Sequence, residues 1–257
     1  MDNRVEGRTA IVTGAGNGLG RAIARRLAAA GASVVCVGRD VGRLEHTVEQ
    51  IAAAGGRAKH VRCDVTSATE VTALHASLLS SEVSILVNNA GVAGPVSELI
   101  AIEPDDWDAV FIGNVRSVFL MCRAFAPEMC SRGDGDIINI GSVAGARPLA
   151  ARSPYCASKA AVRSLSDTLS FELGSHGVRV NTLSPGPVNG ERMDRNFRLE
   201  ADRLQISIEA ATKNYVNRAS AARMVTEEEV ADAVLAMLSM TGLHAANIDL
   251  SAGMVGR

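Results

Sequence analysis

The sequence has few aromatic residues and few features of proteins held together by disulfides or metals. Phenylalanine, tyrosine and tryptophan make up 3% of its 257 residues, whereas hydrophobic residues as a whole make up 47%. None of the five cysteines lies in a CxxC pair, and none of the five histidines has the spacing of a metal-ligand pair. We therefore predict reduced cysteines, no metal site and a core of small aliphatic side chains, which suits a parallel sheet covered by helices.

The chain also lacks an excess of charge and a long apolar segment. Its formal net charge is −2, whereas a surface that binds nucleic acid needs a concentrated basic excess. Its apolar runs are short, and the opening residues, MDNRVEGRTAIVTG, lack the order of basic, apolar and small residues that a signal peptide has. We predict no nucleic-acid partner, no membrane association, a cytoplasmic location and a single α/β domain over residues 1–257.

The first motif is a glycine-rich turn between a predicted strand and a predicted helix. The β-branched run TAIVT, residues 9–13, indicates the strand, and the helical pattern starts at residue 19. Glycines in the turn TGAGNGLG allow a tight bend, a close approach of the backbone to a pyrophosphate, and close packing of the helix on the strand. The helix N-terminus offers unpaired amides to an anion. The turn therefore predicts dinucleotide binding by Gly14, Asn17, Gly18, Leu19 and Gly20.

The end of the second predicted strand, residues 33–37, bears on the choice between NAD and NADP. An acidic residue there would hydrogen bond the adenosine ribose and repel a 2′-phosphate. Gly38 occupies that position, and Arg39 follows it with a side chain that can bind a phosphate through two parallel hydrogen bonds. The pattern favours NADP. NAD is the alternative, if Asp40 reaches the ribose and Arg39 only caps a turn.

Two further predicted strands, residues 57–63 and 84–87, end at candidate cofactor contacts. A carboxylate and an apolar residue after the first could hold the adenine amino group and ring face, although an aspartate before a Thr-Ser pair can equally be a helix cap. Small residues after the second leave room for a flat cofactor, and asparagines there can link neighbouring strands. The candidates are Asp64, Val65, Asn89, Ala90 and Gly91.

Tyr155 and Lys159 lie at the helical spacing i, i+4 in YCASK, so on a helix their side chains share one face. A free phenol has a pKa of about 10, and a nearby ammonium favours the phenolate, which brings the group towards the working range of a general acid/base. Ser142, ahead of this helix, could hydrogen bond the same substrate oxygen. An exposed tyrosine and lysine on a helix surface would have the same spacing, so the assignment depends on the rest of the chain.

The chain resembles the short-chain dehydrogenase/reductase family over essentially its whole length. The resemblance implies a single-domain, Rossmann-like, doubly wound parallel sheet of about seven strands with helices on both faces, and a nicotinamide cofactor. It also implies a homotetramer or homodimer built on the two long helices that flank the active site. It rests on TGAGNGLG, the Asp64-Val65 pair, NNAG, Asn114, Ser142, YCASK and the Pro185-Gly186 pair.

The resemblance further implies roles for four residues. Tyr155 would be the acid/base, Lys159 would lower its pKa and hold the nicotinamide ribose, and Ser142 would orient the substrate oxygen. Asn114 lies in the apolar stretch AVFIGNVRSVFLM, where it would bend its helix and anchor a water that links the lysine to solvent. The alternative for Asn114 is an amide that is satisfied by a neighbouring backbone group.

By the same resemblance, Pro185 and Gly186 would flank the nicotinamide, and Val188 would supply an amide to its carboxamide. The polar segment 188–220 that follows would cover the substrate as one or two mobile helices, so we expect specificity to reside there. Its mixed charges fit a salt-bridged, solvated helix. The alternative is an anion-binding lid that uses the arginines of this segment and of the catalytic loop: Arg147, Arg152, Arg192 and Arg195.

The sequence thus predicts an NADP-preferring alcohol dehydrogenase or carbonyl reductase acting on a small polar substrate, which is anionic if the arginines bind it. A reductase of 3-oxoacyl thioesters carried by acyl carrier protein or CoA is the alternative among enzymes. A non-catalytic dinucleotide sensor is the alternative of another class, but it would be expected to lack some of the four catalytic candidates. Near the C-terminus, Thr226 and Glu229 predict a capping box that opens the last helix.

Overall fold

The short β-branched runs of the sequence form the strands of one parallel sheet. The structure, a computed structural model, describes residues 4–255. Within these residues the strands pair in the order β3-β2-β1-β4-β5-β6-β7, which confirms the predicted doubly wound sheet of about seven strands. The strands span Thr9–Thr13 (β1), Ser33–Gly38 (β2), Arg57–Arg62 (β3), Val83–Asn88 (β4), Gly135–Ile140 (β5), Val178–Pro185 (β6) and Asn247–Leu250 (β7).

Helices cover both faces of this sheet, as the alternation of strands and helical patterns predicts. On one face lie α1, α2 and α9, and on the other lie α3, α5 and α6. The helices span Gly18–Ala29 (α1), Val41–Ala53 (α2), Ala68–Ser77 (α3), Pro104–Phe111 (α4), Ser117–Arg132 (α5), Ser153–Leu173 (α6), Glu191–Leu204 (α7), Ile208–Val216 (α8) and Glu227–Ser239 (α9).

Successive residues of the central strands point to opposite faces, and both faces are buried. On β1, Ile11 packs with the core on the α5 side, and Val12 packs with the core on the α1 side. On β4, Leu86 and Val87 divide in the same way, and all four side chains are fully buried. Burial of a side chain of this size contributes about 1.5–3 kcal/mol, so the packing fixes the strand ends that carry the site.

The strand order reverses between β1 and β4. β1 pairs with β2 on one side and with β4 on the other, with Thr13 opposite Val37 and Val12 opposite Val87. Such a reversal leaves a crevice outside the carboxyl ends of the strands, which is where α/β proteins bind ligands. The glycine turn after β1 and residues 89–91 after β4 flank this crevice.

A long apolar helical stretch runs from Pro104 to Arg132 through α4, a π-helical turn at Ile112–Arg116, and α5. An 18-residue window of it has a mean hydropathy of 1.4, so its length and composition alone would allow it to cross a membrane. However, 56% of that window is buried inside the fold, where Met121 and Phe125 pack against the sheet, as in a core helix. The absence of membrane association stays a prediction.

Two helices, α7 and α8, form the predicted helical lid within residues 188–220. They pack on each other, and the rings of Phe197 and Tyr215 meet edge to face with centroids 5.8 Å apart. The next helix, α9, opens with the predicted capping box. The Glu229 amide donates to Thr226 Oγ1 at 3.1 Å, and the Thr226 amide donates to a Glu229 carboxylate oxygen at 2.9 Å.

Candidate active site

The first turns of α6 carry Tyr155 and Lys159 on one face, as their spacing predicts. The Lys159 ammonium lies 5.9 Å from the centroid of the Tyr155 ring. It is buried, and it donates to the carbonyl oxygen of Ile140 at 2.8 Å, which ties the lysine to the end of β5. Lys159 is therefore held in one place beside the phenol, and the exposed-surface alternative is excluded for it.

Positive charge outweighs burial at Tyr155. Burial raises the pKa of the Tyr155 phenol, but the charges of Lys159 and Arg192 lower it, and the Ser142 hydroxyl and Arg152 lower it further. The net result is a lowered pKa. At Lys159, burial lowers the pKa first, the neighbouring phenol raises it, and Arg192 lowers it again, so the ammonium also has a lowered pKa. Two groups with pKa values pushed towards neutrality side by side indicate acid/base chemistry.

Ser142 follows β5 and faces the same phenol. It is the N-cap residue of a short 3₁₀ turn, and its Oγ accepts a hydrogen bond from the Ala144 amide at 3.2 Å. This contact orients the hydroxyl and leaves its own proton free to be donated. The structure therefore brings Ser142, Tyr155 and Lys159 together.

Asn114 lies in the π-helical turn between α4 and α5 and is buried. Its Oδ1 accepts from the Val92 amide at 2.7 Å, and its Nδ2 donates to the Val92 carbonyl at 3.0 Å and to Ser158 Oγ at 2.9 Å. The alternative of an asparagine that is satisfied by backbone describes the two contacts with Val92 but not the contact with the Ser158 hydroxyl. Asn114 also borders the site, because a Cβ added at Gly91 would lie 2.7 Å from its Oδ1 and 3.8 Å from the Lys159 ammonium.

The glycine turn has the geometry of an anion-binding helix start. Gly14 has a φ of +67°, a left-handed conformation that glycine adopts freely. A Cβ added at Gly20 would lie 2.1 Å from the Gly14 carbonyl oxygen, so only glycine allows α1 to pack this close to the turn. The amides of Gly18, Leu19 and Gly20 make no hydrogen bond within residues 4–255 and are available to a phosphate, next to the exposed Asn17.

Two residues that the sequence did not indicate support this turn. Thr47 of α2 donates to the Ala15 carbonyl oxygen at 2.9 Å. Arg21 of α1 donates to Thr47 Oγ1 at 3.1 Å and to the Gly16 carbonyl oxygen. Thr47 is fully buried. Its burial depends on how α2 packs in the fold, so the sequence around it does not indicate this role.

The end of β2 presents one free charged side chain. Asp40 is the N-cap of α2, where its Oδ1 accepts from the Arg43 amide at 3.1 Å and its Oδ2 lies 3.3 Å from the Arg43 guanidinium. Arg39 is exposed and makes no hydrogen bond or ion pair with the residues that the structure describes. Its charge reaches Asp64, whose pKa is lowered mainly by hydrogen bonds from Thr66 and also by Arg39.

The candidates after β3 and β4 lie at the same crevice edge. Asp64 Oδ1 accepts from the Thr66 amide at 3.0 Å and from the Thr66 hydroxyl at 2.8 Å. The N-cap of α3 is Ser67, so the alternative of Asp64 as a helix cap is wrong. Val65 is buried in the core. The predicted strand linkage is confirmed: Asn89 Nδ2 donates to the Thr13 carbonyl oxygen at 2.9 Å, and the Thr13 hydroxyl accepts from the Asn89 and Ala90 amides.

The segment between β6 and α7 includes Val188, whose amide is free. Pro185 ends the strand, and the Gly186 amide donates to the Leu250 carbonyl oxygen at 2.8 Å. Val188 forms an isolated parallel bridge with Val225. The hydrogen bonds of this bridge are made by the residues on either side of Val188, Pro187 and Asn189, and not by the Val188 amide. Among residues 4–255 the Val188 amide has no acceptor, so it is free to bind a ligand group. No three His, Cys, Asp or Glu side chains of this range form a metal-binding group.

Arg152 faces the catalytic phenol without an acceptor of its own. Its side chain is half-buried and makes no hydrogen bond or ion pair with a described residue. Burial lowers the pKa of Arg152, whereas Tyr215, Tyr155 and Glu200 raise it. Arg192, at the start of the lid, donates to the Gly91 carbonyl oxygen at 3.3 Å and acts on Tyr155 from the other side.

Tyr215 of the lid is a site residue that sequence reasoning missed. It packs near Val143, which follows Ser142, and Arg152 and Tyr155 both act on its phenol. Burial raises the pKa of Tyr215 to about 12, so this phenol stays protonated. The sequence offered one indication of its role: the chain has only two tyrosines, and the other is Tyr155.

The structure corrects the expectation for Arg147. Its guanidinium donates to the carbonyl oxygens of Arg218, at 3.0 Å, and Met254. Arg147 thus ties the catalytic loop to the end of the lid and to the C-terminal segment, and it is not a free anion ligand. The interpretation of the lid as salt-bridged holds for Glu200 and Arg203, which pair at 2.7 Å. Arg195 is exposed and forms no ion pair within the part of the chain that the structure describes.

Comparisons with known proteins agree with this geometry. A family model described as short chain dehydrogenase matches residues 8–202. The chain is 32% identical to 2-(S)-hydroxypropyl-CoM dehydrogenase 3 of Xanthobacter autotrophicus over 93% of this chain and 92% of that one. Among solved structures, it matches actinorhodin polyketide ketoreductase with NADPH (TM-score 0.92, 30% identity, 99% of each chain). It also matches NAD⁺-bound xylitol dehydrogenase (TM-score 0.91, 26% identity, 97% of this chain and 99% of that one).

The chain therefore belongs to the short-chain dehydrogenase/reductase family. It is an oxidoreductase of the class that acts on hydroxyl groups with NAD or NADP. The comparisons do not choose between the two cofactors, because one structural match holds NADPH and the other holds NAD⁺.

Proposed function

We propose that this chain catalyses hydride transfer between a nicotinamide dinucleotide and the secondary alcohol or carbonyl carbon of a small polar substrate. The observation that carries the proposal is the Tyr155 phenol, whose pKa is lowered because Lys159 and Arg192 act on it while Ser142 faces it. When bound, the nicotinamide would supply or accept the hydride. The free amides of Gly18 to Gly20 and of Val188 fit such a cofactor.

Tyr155 would exchange the proton that accompanies the hydride. In reduction, negative charge grows on the substrate oxygen, so the Tyr155 hydroxyl donates its proton there while Ser142 donates a hydrogen bond. In oxidation, the phenolate accepts the alcohol proton. Because the pKa of Tyr155 is lowered, the phenolate is available at a lower pH than for a free tyrosine, and oxidation should gain rate as pH rises through that pKa.

Lys159 and Asn114 would act through position. The Lys159 ammonium is fixed by Ile140 beside the phenol, so it favours the phenolate and can also hold a ribose hydroxyl. Asn114 joins the loop at Val92 to Ser158 on α6, one residue before the lysine. We propose it as a positioning residue for Lys159 and, through the unfilled lone pair of its Oδ1, as an anchor for a water.

We propose a preference for NADP. Two features after β2 support it: Asp40 is occupied by Arg43 and the start of α2, while Arg39 is free and lies near Asp64. The charged group that remains for the adenosine ribose is then a guanidinium, which binds a phosphate and does not repel it.

We further propose that the substrate carries a negative charge away from its reacting carbon. A half-buried guanidinium without an acceptor is costly unless a ligand supplies one, and Arg152 is such a group beside Tyr155. Arg192 adds a second positive charge from the lid, and the protonated Tyr215 adds a hydroxyl donor. Arg195 and Arg147 are not part of this group.

A screen with both cofactors tests the proposed reaction. The purified protein is mixed with NADPH or NADP⁺, and in parallel with NADH or NAD⁺, and absorbance at the reduced nicotinamide band is followed with hydroxy acids, sugars, polyols and 3-oxoacyl thioesters. We expect turnover with a hydroxy acid. Turnover confined to 3-oxoacyl thioesters would replace the substrate assignment, and dinucleotide binding without any turnover would indicate a sensor and contradict the proposal.

We also propose a homotetramer or homodimer built on α5 and α6. Phe119 of α5 and Phe171 of α6 are 47% and 85% exposed, and large apolar side chains on neighbouring long helices support an interface between copies. The cytoplasmic location stays a prediction.

A further inference from the structure

The Glu227 carboxylate lies against the glycine turn without a partner of its own. Glu227 is the first residue of α9 and is half-buried. A Cβ added at Gly18 would lie 3.2 Å from its Oε1, and a Cβ added at Gly190 would lie 3.0 Å from the same oxygen. The Glu227 side chain makes no hydrogen bond or ion pair with any residue from 4 to 255. Its carboxylate therefore fills the gap between the start of α1 and the start of the lid helix α7.

The groups around Glu227 oppose its ionisation. Burial raises the pKa of Glu227, and the carboxylates of Glu228 and Glu191 raise it further, whereas Arg21 lowers it. These groups face it from each neighbouring helix: Arg21 from α1, Glu191 from α7 and Glu228 from α9 itself. The Arg21 guanidinium is bound to Thr47 and to the Gly16 carbonyl oxygen, so it does not pair with Glu227.

We propose that Glu227 competes with the pyrophosphate of the dinucleotide at the start of α1, and that its ionisation weakens dinucleotide binding. The inference rests on the proposed binding of pyrophosphate by the Gly18, Leu19 and Gly20 amides. The start of a helix attracts anions, so the pyrophosphate and an ionised Glu227 would occupy the same attractive region. A second anion at the same place is repelled by the first.

The competition couples affinity to pH. Dinucleotide binding favours a protonated Glu227 or a side chain displaced from Gly18, and by linkage an ionised Glu227 lowers dinucleotide affinity to the same extent. Affinity therefore falls as pH rises through the raised pKa of Glu227. The same oxygen lies beside Gly190, so displacement of Glu227 also opens the gap between the turn and the start of the lid.

The test compares Glu227→Gln with Glu228→Gln in the full chain. Glu228 is the neighbouring carboxylate and is exposed, so it is the matched control for surface charge. Dissociation constants of NADPH and NADH are measured by nicotinamide fluorescence between about pH 5 and pH 9, a range that begins just above the ordinary glutamate pKa of about 4.3. The ratio of variant to parent at each pH cancels titration of the ligand phosphates. The binding of 2′-AMP, which has no pyrophosphate, reports whether the adenosine end is intact.

We expect Glu227→Gln to bind both dinucleotides about five- to tenfold more tightly at the high end of the range, with the gain shrinking as pH falls. Binding of 2′-AMP should not change, and Glu228→Gln should stay within about twofold of the parent. Equal affinity of parent and Glu227→Gln at every pH would overturn the inference and leave the proposed function standing, as would an equal gain for Glu228→Gln. No dinucleotide binding by any of the three proteins would overturn both.

Discussion

Arg39 and Asp40 are adjacent in sequence, carry opposite charges and have different partners in the structure. Asp40 is bound by Arg43 through its amide and its guanidinium, which is a contact between residues three apart. Arg39 has no such partner, and its charge is felt at Asp64 across the crevice edge. The sequence left open whether Asp40 or Arg39 contacts the adenosine ribose. Because Asp40 caps α2, the structure favours Arg39 for that contact.

Arg39→Asp should shift the preference from NADP towards NAD. It replaces the proposed phosphate partner with a carboxylate that repels phosphate, so the ratio of kcat/KM for NADP⁺ over NAD⁺ should fall by at least about tenfold. Arg62→Ala is the matched control, because this arginine also acts on Asp64 but pairs with Glu70. If the parent enzyme already prefers NAD, the assignment of Arg39 is contradicted, and Asp40 becomes the proposed ligand of the ribose.

Arg147 and Arg152 show where prediction from single residues ends. Both flank the catalytic motif, and nothing local distinguishes them. The acceptors of Arg147 are backbone oxygens 71 and 107 residues away, on the lid and in the C-terminal segment. Every residue has a backbone carbonyl, so the sequence does not indicate which carbonyl oxygens accept from Arg147. Only the folded chain shows that Arg147 is bound and that the Arg152 side chain has no hydrogen-bond partner among residues 4–255.

At the scale of helices, elements with local causes were predicted well. The capping box of α9 joins residues three apart, and the Tyr155–Lys159 pair joins residues four apart. Both contacts can therefore be predicted from the spacing of the residues along the sequence. The π-helical turn at Ile112–Arg116 was not predicted as such. The side-chain amide of Asn114, in this turn, donates to Val92 and Ser158, which lie far from it in sequence. The apolar sequence around Asn114 does not specify these contacts.

The proposed anion-binding subsite would take residues from three helices, and Arg152→Gln tests it. Arg152 lies at the start of α6, Arg192 on α7 and Tyr215 on α8. With a hydroxy acid as substrate, the loss of the half-buried guanidinium should lower kcat/KM by about 100-fold, whereas the neutral amide or methyl ester of the same compound should lose little. Steady-state kinetics with the acid and its neutral analogue give both values.

Arg147→Gln is the control for this prediction. It removes a guanidinium that binds backbone oxygens, so it should reduce the thermal stability and should affect the charged and neutral substrates equally. Equal efficiency of the parent with the acid and its neutral analogue would contradict the anionic assignment. A uniform loss for Arg152→Gln on both substrates would also contradict it.

At the scale of the whole molecule, central strands such as β1, β2 and β4 could be predicted from their short apolar runs. The doubly wound sheet of about seven strands was implied by the family resemblance. Ile11 and Leu86 illustrate the physical basis, since continuous apolar strands have to be covered on both faces. The lid position was predictable as a segment, but its contacts were not. Tyr215 and Glu227 acquire their neighbours, Arg152 and Gly18, only when helices distant in sequence pack together.

The residues of the proposed catalytic cluster come together only in the whole fold. Ser142 comes from the end of β5, Tyr155 and Lys159 from α6, and Asn114 from the turn between α4 and α5. The Lys159 ammonium is positioned by the Ile140 carbonyl of β5, so the pKa of Tyr155 depends on the packing of α6 on the sheet. The central claim is that this phenol transfers the proton in the reaction.

Turnover and dinucleotide binding by Tyr155→Phe, measured on the same preparation, test that claim most directly. The substitution removes the phenolic hydroxyl and keeps the ring, so kcat should fall by about 10²–10⁴-fold at every pH, while the dissociation constant of the dinucleotide stays nearly that of the parent. The oxidation rate of the parent should rise with pH through the lowered pKa of Tyr155 and then level off. Activity of Tyr155→Phe within about threefold of the parent would contradict the assignment of Tyr155 as the acid/base.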